Sequence, residues 1–234
     1  QPACHRFIAR HLYNFFVADE PSVPLWSTEP PRDREAIRTL SEAFVKSGYE
    51  MRPVLRTLFN SDFFKEAMYQ KVKSPIEVFV GTIRLTRDLE GADPRFPIIE
   101  PVAKEPGYMG QSILDPPSVE GWHTGQGWIN SGTLAKRINF VTDRVSNTGL
   151  PGIQDIIKRV ASEGTSVTPD TFVERCLDLI GPLRVDDSTR AELEAQVATD
   201  GPLSWATDEG LADLSRRVGD TLALIASTKE YQFG

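Results

Sequence analysis

The chain has 234 residues, 40% hydrophobic and 25% charged, with a formal net charge of −7. That balance is globular rather than disordered or fibrous, and the length suffices to bury a core. The negative charge argues against nucleic acid and against an anionic membrane surface as partners, and no apolar run nears the roughly 18 residues of a membrane span.

The first residues, QPACHRFIARHL, carry no targeting segment and start inside a helix pattern, as a fragment of a longer protein would. Over 3–17, Cys4, Phe7, Ile8, Leu12, Phe15 and Phe16 recur at helical spacing as one wide apolar stripe. Asp19-Glu20-Pro21 stops it, and the four prolines of 20–32 give an extended connector around Trp26. A second helix over 33–47 rests on Ile37, Leu40 and Phe44 and closes at Gly48. Pro53 suits a first helical turn ahead of Val54, Leu55, Leu58 and Phe59, and Ser61 can cap a short helix reaching Tyr69.

The strongest helix start is KSPIEVFVGTIRLTRDL, with Ser74 as N-cap, Pro75 at N1 and Glu77 at N3, a capping box. The helix from 75 to about 89 is apolar nearly all round over its first half. That predicts a central position with Phe79, Val80 and Ile83 buried, and with Glu77 and Arg84 as a structural polar pair. Residues 91–101 are broken by Gly91, Pro94, Pro97 and Pro101, and a short helix precedes Gly107. A glycine- and proline-rich loop follows, and Asn130 or Ser131 caps a helix on Leu134, Ile138, Val141 and Val145. Later helices read at 152–162, 169–180, 190–198 and 208–226. The fold class is therefore all-α, an irregular multi-helix bundle of about nine helices with long Gly/Pro-rich loops, with 1–147 and 148–234 as possible subdomains.

Two stretches echo each other. LRTLFNSDFF (55–64) and LALIASTKEY (222–231) both run Leu, aliphatic, hydroxyl, aromatic at three-residue steps. A hydroxyl that caps a short turn, with an aromatic folding back on the preceding helix, explains the pattern.

The best candidate site is DPPSVEGWHTGQGWIN (115–130), with two tryptophans, one histidine, two carboxylates and three glycines in sixteen positions. Trp122 and Trp128 offer faces that stack on sugars or planar ligands. Glu120, His123 and Asn130 would supply polar contacts, and Glu120 with His123 could act as an acid–base pair. The competing reading is structural: a long loop anchored by buried tryptophans. A split role combines the two, with Trp128 as the buried anchor and Trp122 beside His123 at the rim of a cleft. His5, His11 and His123 with Cys4 and Cys176 match no zinc spacing, so no metal is expected. Each cysteine reads best as a small buried hydrophobe. No Gly-x-Ser-x-Gly elbow or phosphate-binding loop is present, and no cofactor is expected.

RFIARHLYNFFVADEP (6–21), KSPIEVFVGTIRLT (73–86), GQSILDPPSVEGWHTGQGWINSGTLAKRINF (110–140) and LALIASTKEYQ (222–232) together resemble a bacterial family, domain of unknown function 1800. The third stretch is the most specific, matching Gly-Gln, Pro-Pro-x-Val-x-Gly-Trp and Trp-Ile-Asn. His5 and Cys4 stand where members more often carry small residues. The resemblance implies that 1–234 is the C-terminal part of one larger helical domain. It also implies export to the periplasm, cell surface or exterior, beside a second exported family of sulfatase-like fold, domain of unknown function 1501. It implies no activity. The expectation is an exported binding or assembly module acting with another exported protein or an extracellular polymer such as a glycan. The alternative is a hydrolase of polysaccharide or sulfated glycan with its site at 115–130.

Overall fold

The computed structural model describes residues 2–21, 25–93, 99–119, 121–162, 164–181 and 183–234. Pro24, Pro94, Pro97 and Glu120, each used in the sequence reading, lie outside them. The described chain is helix-dominated, and its one sheet is the two-residue antiparallel pairing of Ser166–Val167 with Leu203–Ser204. Where the sequence suggested a division near residue 148, contacts divide the chain at Val72 and Lys73. One unit holds Gln1–Val72, His123–Gly127 and Phe233–Gly234, and the other holds Lys73–Trp122 and Trp128–Gln232.

The first unit is built from α1 (Pro2–Phe16), α2 (Arg34–Lys46), α3 (Met51–Asn60) and the single turn α4 (Asp62–Lys65). Its core joins Ala9, Tyr13 and Val17 to Ala36, Ile37, Leu40 and Phe44 of α2 and to Val54 and Leu58 of α3. The face that α1 buries is thus rotated from the expected stripe. Cys4, Phe7 and Phe15 are exposed, while Ala9 allows close approach and Tyr13 buries its ring with its hydroxyl directed at Asp33 (3.3 Å). Counting only aliphatic and aromatic positions missed this, because a small residue and an amphipathic tyrosine make the better contact face. Asp33 caps α2 through the Ala36 amide at 2.9 Å, and Gly48 takes the left-handed conformation after it (φ 70°).

The chain reversal after α1 is held by buried polar groups. Glu20 accepts the amides of Arg32 and Asp33 at 2.9 and 2.7 Å. Arg10 donates to the carbonyls of Pro21 and Glu20, and the Trp26 indole donates to Pro21 at 3.0 Å. Each link satisfies a backbone group that no helix or sheet serves.

The second unit contains α5 (Pro75–Thr86), the short α6 (Ile99–Ala103) and α7 (Glu105–Tyr108), then α8 (Ser131–Val145), α9 (Pro151–Ser162), α10 (Pro169–Ile180), α11 (Asp187–Thr199) and α12 (Asp208–Ser227). The longest helix, α12, packs against α8, α9, α10 and α11. Its buried Leu214, Val218, Leu222 and Ile225 recur at three- and four-residue steps. Trp205 is buried and donates to the carbonyls of Gly164 (2.6 Å) and Ala161 (3.3 Å), which closes the end of α9.

The capping box of α5 forms: Ser74 accepts the Glu77 amide, and Glu77 accepts the Ser74 amide at 2.6 Å. The predicted inner face does not. Val78, Thr82 and Thr86 are buried, Phe79 and Ile83 are half-buried, and Val80 is 39% exposed. Two causes are visible. The threonine hydroxyls donate to the carbonyls four residues back at 2.7 and 2.9 Å, so they enter the core satisfied. The start of α9 also lies against the end of α5, where a Cβ on Gly152 would fall 1.9 Å from the Leu85 carbonyl. Only small residues fit that crossing. Glu77 closes the box and Arg84 is exposed in the last turn, so the two form no ion pair. Of the cysteines, Cys176 is buried, with its thiol pushed up to about 12 by desolvation, whereas Cys4 is exposed and free.

Candidate functional site

The stretch singled out by sequence divides between the two units, with His123–Gly127 in the first and its flanks in the second.

In the second unit, residues 111–119 with 121–122 form an anchored excursion. The Gln111 side chain accepts the Ile76 amide at 2.9 Å, serving an orphan donor at the start of α5. The Trp122 indole donates to the Ser112 carbonyl at 3.1 Å and closes the loop across ten residues. Trp122 is half-buried. Between these anchors the chain points apolar side chains outward: Leu114 is 90% exposed, Val119 is fully exposed, and Ile113 is exposed beside them. Leu114 also adopts a left-handed φ of 64°, which is unfavourable for a side chain of its size. On the far side, Trp128 is buried at 6% exposure. Asn130 caps α8 by a reciprocal pair with Thr133, both bonds at 2.9 Å, and Thr133 also donates to the Trp128 carbonyl. The Asn130 side-chain oxygen is therefore engaged by its own helix.

In the first unit, His123 is exposed and Gly125 is buried at φ 59°. A Cβ on Gly125 would come within 2.7 Å of the Asp19 carboxyl carbon, so only glycine serves there. Asp19 accepts the Val72 amide at 3.1 Å through one oxygen, while its other oxygen is buried without a partner. Burial pushes this carboxyl above the usual carboxylate range, against the opposing pull of the Val72 amide and of Lys71, Arg32 and Arg10. Glu120, the proposed partner of His123, lies outside the described residues.

A polar cluster that sequence reading missed lies within the second unit. Arg137 of α8 is fully buried; it donates from Nε to Gln232 Oε1 at 3.1 Å and from Nη2 to the Lys73 carbonyl at 2.6 Å, and its Nη1 has no partner. Lys73 donates to the Tyr231 carbonyl at 2.8 Å and stands over the Tyr231 ring at 4.6 Å. Desolvation lowers both cations, Lys73 to about 8 and Arg137 to about 10. Because Arg137 is fully buried, the cluster acts as a clasp that ties the final turn and the start of α5 to the middle of α8. Its sequence signal was a lone arginine inside the apolar face of α8, three residues past Leu134.

Among the described residues no group of three or more His, Cys, Asp or Glu side chains could hold a metal ion, and no helix is long and apolar enough to cross a membrane. No curated protein and no solved structure matches the chain. The family model described as "Protein of unknown function (DUF1800)" matches residues 1–233, which is nearly the whole chain and includes every stretch that carried the resemblance, so the chain belongs to the DUF1800 family.

Proposed function

We propose that the chain is an exported binding or assembly module that docks another exported protein, of the sulfatase-like fold class, through the exposed Ile113, Leu114 and Val119. The observation that carries this reading is Leu114. A left-handed leucine costs about 1 kcal/mol relative to an ordinary backbone, and here the strain holds an apolar side chain 90% in solvent. Neither the strain nor the exposure benefits the chain by itself. Both make sense as a pre-formed contact, with Ile113 and Val119 beside it and with Trp122 and Gln111 holding the loop ends.

The hydrolase alternative, with Glu120 and His123 as acid and base at 115–130, gains no support from this placement, since His123 is exposed and its partner is undescribed. A glycan contact through Trp122 fits less well than a protein contact, because that indole is half-buried with its N–H already engaged.

The test is co-purification and titration of the chain with the exported sulfatase-like protein produced alongside it, followed by Leu114→Asp/Val119→Asp. A complex weakened tenfold or more by the double substitution supports the reading. An equally tight complex, or no complex with the unsubstituted chain, overturns it. Fractionation of cells producing the full-length protein tests export.

A further inference from the structure

The first unit contains an open cleft of about 690 Å³ that the sequence reading did not anticipate. Its walls come from the start of α1, from α2, and from the connector that carries Trp26 and Pro30-Pro31. From its shape and lining we propose that it binds a small ring-shaped anion, a sugar or aromatic ring bearing a carboxylate, phosphate or sulfate group.

Charge comes first. Arg6, Arg34 and Arg38 line the cleft against a single acid, Glu42, on a chain whose net charge is −7. Arg38 is held by Glu35 and Glu42 on its own helix. Arg6 and Arg34 are exposed and make no ion pair or hydrogen bond with any described residue. Two uncompensated guanidinium groups on one concave surface select an oxyanion, which they bind in a forked geometry that an ammonium group cannot reproduce.

Shape and rigidity define the rest of the ligand. The Trp26 indole is fixed by its bond to the Pro21 carbonyl, so a flat apolar surface stands ready in the wall without further loss of side-chain freedom. Pro30 and Pro31 stiffen the rim. The lining also carries a polar pair, in which His5 Nδ1 is hydrogen-bonded to the hydroxyl of buried Ser41. A bare phosphate or sulfate would engage only the arginines, whereas a ring with one acidic group meets both the indole face and the arginines of the lining. The volume falls within the roughly 300–1,000 Å³ of small-molecule sites. The cleft shares no residue with the segment 111–122, so the fate of the docking proposal does not bear on it.

The experiment is isothermal titration of the chain with phenyl phosphate and benzoate (aromatic ring plus oxyanion), glucose 6-phosphate and glucuronate (sugar ring plus oxyanion), inorganic phosphate and phenol. At least one ring-plus-oxyanion probe is expected to bind at least tenfold more tightly than either inorganic phosphate or phenol. Which arm binds, aromatic or sugar, identifies the ring. Arg6→Gln and Arg34→Gln should each weaken that probe about tenfold, with thermal unfolding unchanged because both side chains are exposed. Arg159→Gln, an exposed arginine of the other unit, should leave binding as it was. The proposal is overturned if no ring-plus-oxyanion probe binds at millimolar concentration. It is equally overturned if the Arg6→Gln/Arg34→Gln double variant binds like the unsubstituted chain, or if Arg159→Gln weakens binding as much as either.

Discussion

The turns after Leu58 and after Ile225 are the same turn put to different use. In each, a hydroxyl donates to the carbonyl three residues back, Ser61 to Leu58 at 2.6 Å and Thr228 to Ile225 at 2.8 Å. In each it accepts the amide of the aromatic three residues on, Phe64 at 3.3 Å and Tyr231 at 3.4 Å. There the likeness ends. Phe64 is half-buried in an edge-to-face series with Phe59 and Phe16, and Lys65 after it is exposed. Tyr231 is buried under Lys73, and Gln232 after it is buried against Arg137. A short-range pattern therefore fixes a turn, and the buried cation waiting beside it decides whether that turn becomes a clasp.

Four measurements would break or sharpen the contrast. The largest effect should come from Arg137→Ala, which leaves a cavity and strips Gln232 and the Lys73 carbonyl of their donor. We expect a loss of about 3–5 kcal/mol in denaturant unfolding. Arg137→Met, which refills the volume and removes the unpartnered Nη1, should lose far less. Near-equal losses would show that the charge, and not the packing, holds the clasp.

Next is the aromatic pair. Tyr231→Ala should cost about 3 kcal/mol and Phe64→Ala about half of that, following their burial. Equal costs would mean that the two turns are equivalent after all.

The third effect is a pH dependence carried by Lys73. Burial lowers its pKa to about 8 from the ordinary 10.5. Below about 8 the group is charged in both states, and the folded state bears the full cost of burying it. Between about 8 and 10.5 the unfolded chain binds more protons than the folded one, so stability contributed by this group rises with pH. The stability difference between the unsubstituted chain and Lys73→Met should therefore shift in favour of the unsubstituted chain as pH goes from 7.5 to about 10. A flat difference would place Lys73 in solvent. The smallest effects should be Ser61→Ala and Thr228→Ala, each about 1 kcal/mol, the usual worth of a helix-end cap. Here equality is the expected result, because the local turn is the shared feature.

Much of the local structure was legible in the residues. Ser74, Pro75 and Glu77 specify a capping box through bonds spanning three residues, and it forms. The echo at 55–64 and 222–231 specified its turns for the same reason, and the scarcity of alternating segments specified an all-helical class. What failed to read was direction. The apolar character of α5 named Phe79, Val80 and Ile83 as its inner face, yet Val78, Thr82 and Thr86 are the ones buried, with both threonine hydroxyls satisfied and Gly152 closely crossing the helix end at Leu85 and Thr86. Similarly, α1 turned Ala9 and Tyr13 inward and left Phe7 and Phe15 outside.

The candidate loop shows the same boundary. Its glycines and prolines argued against an α-helix, and of the two candidate caps, Asn130 and Ser131, it is Asn130 that caps α8. That Leu114 and Val119 face solvent, that Gly125 lies against Asp19, and that Arg6, Arg34 and Trp26 share a cleft are decided by neighbours far along the chain. Helix starts, turns and periodicity are set by bonds between residues three or four apart, so the sequence alone determines them. Which face of a helix is buried, and which charges are left without a partner, depends on how closely distant backbones approach, and only the tertiary structure decides that.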